Sequence, residues 1–136
     1  MNDDIRFSQS ELEDRRPVWD ALSSMYLDTD VSSSRDWRVR VLAASRYSLD
    51  QMDSILRDEV HPICLPNLLH PTGEWAGFDP VWLEQAICSH RNRRLSRLLT
   101  TIGRTLMDGF PTDEWTATRR GIVSRRGQHR SPGGAR

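Results

Sequence analysis

The sequence predicts an all-α fold, a compact single-domain bundle of roughly five to seven short helices over residues 8–108 with a disordered basic tail over 109–136. Three observations predict it. Runs of alternating β-branched and polar residues with a hairpin turn are missing. Apolar residues recur instead at intervals of three and four. Helix-start signals stand in front of several of these stripes.

The order of elements follows from the stripes and their caps. Ser8 followed by Glu11 has capping-box form and opens a polar helix that should stop near Arg16, because the residue before Pro17 avoids the helical region. Pro17 then suits the first turn of a second helix, whose Val18, Trp19, Leu22, Met25 and Tyr26 share one face. Residues 28–34 read as a polar connection, and Trp37, Val41, Leu42 and Ala44 mark the next helix. Ser48 with Gln51 repeats the box and starts a stripe of Leu49, Met52, Ile55, Leu56 and Val60. Pro62 should break or kink that helix near Val60, with a short turn carrying Ile63, Leu65, Leu68 and Leu69 after it. Asp79 before Pro80 caps a helix with Trp82, Leu83, Ala86 and Ile87 inward. A final stripe runs through Leu95, Leu98, Leu99, Ile102 and Leu106. Beyond Gly109 and Pro111, apolar residues are sparse among Arg, Gly, Ser and Thr, and such a composition predicts a tail that cannot bury enough area to order itself.

Charge is balanced in sum but not in distribution. The chain has 19 Arg and no Lys; residues 1–80 carry 15 acidic side chains against 8 Arg, and residues 81–136 carry 4 against 11. An acidic body and a basic last third follow. The first ten residues have neither the cationic nor the apolar stretch of a secretory signal, and no apolar run reaches the ~20 residues of a membrane span, so a cytoplasmic protein is expected. Cys64 and Cys88 are too few for a disulfide framework and sit in apolar surroundings, which predicts reduced thiols.

Three segments, RRPVWDALSSMYLDTD (15–30), LAASRYSLDQMDSILRDEVHPICLPNLL (42–69) and GEWAGFD (73–79), together resemble an uncharacterised domain-of-unknown-function family of small proteobacterial proteins. The resemblance spans about residues 15–88, lapses after Ser89 and implies no particular activity.

The stretch NLLHPTGEWAGFDPVWL (67–83) is unusually apolar for a helix connection, and Trp75, Phe78 and Trp82 are expected to anchor it to the core alongside Trp19, Leu22 and Leu56. Glu74 has no capping role there and stands as a candidate binding residue. His61, Cys64, His70, Cys88 and His90 have no zinc-type spacing, so no metal or other cofactor is expected. Asp58 lies three residues before His61, the beginning of an acid–base pair, but no nucleophile elbow or phosphate loop accompanies it, and an enzyme with a site near Glu74 and His61 ranks third. The segment 42–56 scans as helix-turn-helix, yet its second element carries Asp50, Asp53, Asp58 and Glu59, the wrong sign for a phosphate backbone. The function expected is therefore a non-catalytic protein-binding module, immunity-, antitoxin- or adaptor-like, that uses Asp50, Asp53, Asp58, Glu59 and Glu74 against a more basic partner. The alternative is nonspecific polyanion or nucleic-acid association through Arg119, Arg120, Arg125, Arg126 and Arg130.

Overall fold

A computed structural model describes residues 6–26, 30–68, 79–92 and 109–134, excepting the side chains of 66–68, 92 and 129–134. The chain enters helix α1, Gln9–Ser23, through the predicted capping box: Ser8 Oγ accepts the Glu11 N–H at 3.2 Å and Glu11 Oε1 accepts the Ser8 N–H at 2.8 Å. Contrary to the expected stop near Arg16, α1 runs straight through Pro17. An interior proline costs a helix about 3 kcal/mol. Here Pro17 lies on the exposed side, where water can satisfy the carbonyl it leaves unbonded, while Val18, Trp19, Ala21 and Leu22 are buried directly after it. Burial of those side chains, at about 1.5–3 kcal/mol for each large one, outweighs the loss.

A 3₁₀ turn, Val31–Ser34, leads into α2, Arg35–Ala44, which buries Leu42 and, unexpectedly, Arg38. The Ser48 box opens α3, Leu49–Ile55, with Ser48 Oγ accepting the Gln51 N–H at 3.1 Å. The disturbance predicted around Pro62 takes the form of a widened π turn, Leu56–Val60, after which α4 runs over His61–Leu68. The wider turn lets His61 donate to the Leu56 carbonyl, five residues back, so the chain passes Pro62 without ending. Met52, Ile55, Leu56 and Val60 are buried, as their spacing predicts. Helix α5, Pro80–Asn92, starts where Asp79 Oδ2 accepts the Trp82 N–H at 3.0 Å and points Leu83 and Ile87 inward.

Trp82 corrects an expectation. It is 39% exposed, because Leu83 and Ile87, one turn apart, define the inward face and the preceding residue is rotated about 100° away from it. Glu74, Trp75 and Phe78 lie outside the described residues, as does the stripe from Leu95 to Leu106.

The larger correction concerns the C-terminal third. The expected tail begins at 109, but Thr112–Gly134 forms a helix, α6, whose Trp115, Thr118 and Ile122 are buried. These recur once per turn, too thinly for composition to reveal them, and the polar residues between them are held by the body. Contacts pair Glu114 with Arg35, Thr118 with Arg38, Gly121 with Val39 and Arg126 with Ala43, so α6 runs parallel to α2. A Cβ at Gly121 would lie 2.7 Å from Val39 Cγ2, which is why the helices meet at a glycine. Arg126 closes the far end of α2: its Nη2 donates to the carbonyls of Leu42 at 3.3 Å, Ser45 at 3.1 Å and Tyr47 at 2.8 Å, and its Nε to that of Ala43 at 3.2 Å. A cation at a helix C-terminus also opposes the macrodipole favourably. The packing order is thus α6 on α2, α2 on α1 and α1 on α5, with the rod of residues 49–68 backing α1 and α5. No helix among the described residues is long and apolar enough to cross a membrane.

Polar groups in the α2–α6 seam are matched. Arg38, fully buried, places all its donors: Nε on Ser24 Oγ at 2.9 Å, Nη1 on Glu114 Oε2 at 2.7 Å and Thr118 Oγ1 at 3.2 Å, Nη2 on the Val31 carbonyl and Ser34 Oγ, both at 2.9 Å. Arg35 grips the same carboxylate through two bonds of 2.7 and 2.8 Å. Those hydrogen bonds from Arg35, joined by the Arg38 charge, hold the Glu114 carboxyl below its ordinary value of 4.5. A depressed carboxyl contributes stability that is present above the unfolded value and lost as pH falls through the folded one. Acid titration below pH 4.5 is therefore expected to loosen α6, followed by Trp115 fluorescence, and Glu114→Gln should flatten that acid limb.

Candidate functional site

The carboxylates singled out in the sequence separate into two groups. Glu59 faces inward: Trp19 Nε1 donates to its Oε1 at 2.8 Å, and Arg15 adds bonds of 3.1 and 3.4 Å. Asp53 is also engaged, accepting from Arg57 Nε at 2.7 Å and from Trp115 Nε1 at 2.9 Å. Burial alone would raise the Asp53 carboxyl, but these hydrogen bonds and the nearby arginines outweigh it and hold it low. Asp50 and Asp58 remain at the exposed surface. The four do not form one docking face, because two of them serve as internal acceptors. Glu59 falls four residues after Ile55 and seven after Met52, on the buried face of its own stripe, so the spacing points inward and only its charge suggested the surface.

Among the predicted histidine and cysteine positions, His61 and Cys64 serve in packing. His61 Nδ1 lies 2.7 Å from the Tyr26 hydroxyl, and its ring packs edge-on to Phe110 at 5.3 Å between centroids. Cys64 is fully buried and its thiol is pushed up by desolvation, the opposite of what a nucleophile or metal ligand needs. Cys88 is half-buried and shifted the same way by the same cause. His70 lies outside the described residues, and among those described no three His, Cys, Asp or Glu are grouped to hold a metal.

Of the basic set, Arg126 is committed to the α2 carbonyls and Arg119 lies over the Trp115 ring, 6.0 Å from its centroid. Arg120 and Arg125 are exposed; the Arg130 side chain is outside the described set.

A feature that sequence reasoning passed over is the cleft of about 420 Å³ between α1 and α5. Pro80, Val81 and Leu83 supply an apolar wall, and Arg16 and Glu84 bridge the two helices through bonds of 2.7 and 3.1 Å. Those bonds lower the Glu84 carboxyl. Asp20, one turn beyond Arg16 on α1, reaches the same cleft. It is half-buried, its carboxylate accepts no hydrogen bond from any described residue, and burial raises its carboxyl above the ordinary value of 3.8. Val81, 62% exposed, stands at the α5 side of this opening. One signal was available: Asp20 abuts the stripe Val18, Trp19, Leu22, which puts its carboxylate at the margin of a buried face. The partner helix across the cleft was not readable, since it comes from more than 60 residues along the chain.

The family model for Domain of unknown function (DUF7079) matches residues 13–121. It reaches past Ser89, where the resemblance was expected to lapse, and takes in Glu114, Trp115, Thr118 and Gly121 of the α2–α6 seam. No curated protein and no solved structure matches the chain. With most of its 136 residues covered, and with the seam that closes its core inside the match, the chain belongs to the family described as Domain of unknown function (DUF7079).

Proposed function

We propose that the protein is a non-catalytic protein-binding module, adaptor- or immunity-like, whose docking surface is the α1–α5 cleft. The observation that carries this reading is the Asp20 carboxylate, partly desolvated beside an apolar wall and given no donor by the described residues around it. Such a group destabilises the free protein slightly and is relieved by a cation brought in by a partner. Asp20 and Glu84 line the opening against Arg16, with Glu13 also near that guanidinium, so the local field favours a positive guest. The guest is a segment presenting an arginine or lysine next to an apolar side chain, which fits the wall of Pro80, Val81 and Leu83. This reading moves the contact surface from the Asp50, Asp53, Asp58 and Glu59 helix to α1 and α5.

Nitrogen-15 NMR titration with a short amphipathic peptide of Arg and Leu tests it. Shifts should concentrate at Asp20, Val81 and Gln85, and Asp20→Asn should weaken binding about tenfold. Because the carboxyl of Asp20 is raised in the folded protein, its ionised form costs stability above that value. The variant should accordingly melt no lower than the parent at pH 7, which separates lost binding from lost folding. Shifts centred on Asp50 and Asp58, or unchanged affinity in Asp20→Asn, would refute the assignment.

A further inference from the structure

Three large apolar side chains are strongly exposed among the described residues: Val81, Trp82 and Val123. They fall at two places of opposite charge. Val81 lines the α1–α5 cleft beside Asp20 and Glu84, with Trp82 next to it along α5; Val123 lies on α6, where Thr116, Arg120, Val123 and Gly127 are all exposed and, spaced by four, three and four residues, share one outward face. Arg120 thus stands one turn before Val123, the cation beside an apolar side chain that the cleft calls for. A Cβ built at Gly127 would meet nothing within 4 Å, so a second helix can approach this face closely.

Among the described helices, the packing order α6, α2, α1, α5 puts the two patches at opposite ends of the stack. We infer that the cleft's occupant is the α6 face of a second copy of this chain, with Arg120 pairing to Asp20 and Val123 packing against Val81. This inference rests on the reading of the cleft as a docking site and names its partner. The contact joins two different surfaces, so association is head-to-tail and grows into rings or chains rather than stopping at a two-fold dimer.

Sedimentation velocity of the full chain over a concentration series, at low and moderate salt, tests the inference. The average mass should rise with concentration and fall as salt screens the pair. Asp20→Arg and Arg120→Asp should each raise the concentration needed for association about tenfold or more, and the double variant should recover it. Val123→Glu, on an exposed position, provides a second disruption that leaves Asp20 untouched. A chain that stays monomeric at about 1 mM in low salt, a single variant that associates like the parent, or a double variant that does not recover overturns self-docking. If the parent is monomeric yet the Arg/Leu peptide still binds in an Asp20-dependent way, self-docking fails and the cleft reading stands; if neither occurs, both fail.

Discussion

Removal of residues 112–136 is expected to unfold the protein. A dispensable tail would leave the remaining 111 residues intact, but α6 carries three buried side chains into the core, and two of them, Trp115 and Ile122, are large and apolar. Losing contacts of that kind costs about 2–5 kcal/mol each. The deletion also strips Glu114 from the fully buried Arg38, and an uncompensated buried charge adds about 3–5 kcal/mol. Together these reach the whole stability of an ordinary domain, about 5–15 kcal/mol. Circular dichroism should show a truncated chain without a cooperative melt at 25 °C. A truncated chain that melts like the parent would mean that the core closes without α6.

Glu114→Leu should be the most damaging single substitution in the polar seam. Arg35 is part-exposed and can turn to water, but Arg38 has no such escape, since its side chain is sealed by Ser24, Ser34, Thr118 and the Val31 carbonyl. Urea denaturation should register a loss of about 3–5 kcal/mol. Combining it with Arg38→Met should cost less than the two changes summed, because the second removes the charge that the first left stranded. A loss under about 1 kcal/mol for Glu114→Leu would show that water reaches the seam and that Arg38 is not held as described.

Local signals in the sequence proved readable where one residue and its near neighbours decide the outcome. The Ser8 and Ser48 boxes and the Asp79 cap depend on side chains reaching backbone groups within three residues, and all three form. The stripe from Met52 to Val60 is buried because its spacing alone sets one face. Pro17 defeated the same logic, since its cost is local but the burial that overrides it comes from the helices packed on α1. Arg38 sits four residues before Leu42 on the inward face of α2, a position where charge usually argues for solvent; the carboxylate that answers its charge, Glu114, comes from 76 residues away. Composition failed for α6 for a related reason. It counts apolar residues, whereas Arg126 and Glu114 order this helix through bonds to carbonyls and guanidinium groups elsewhere in the chain. Of the candidate carboxylates, the acidic balance was legible from the sequence but their arrangement was not, because Glu59 and Asp53 satisfy Trp19 and Trp115. Trp75 and Phe78 fall outside the described residues, leaving Trp82, part-exposed on the first turn of α5, as the part of that aromatic connection whose place is known.

Everything rests most heavily on the last helix belonging to the folded body, for it closes the core on one side and presents Arg120 and Val123 on the other. Amide hydrogen exchange from Trp115 to Arg126 measures this directly. Protection matching that of Leu22 and Leu42 is the result expected, since α6 then opens only when the whole domain does. Exchange at the rate of an unstructured chain across those twelve amides would contradict it and return residues 109–136 to the role of a tail.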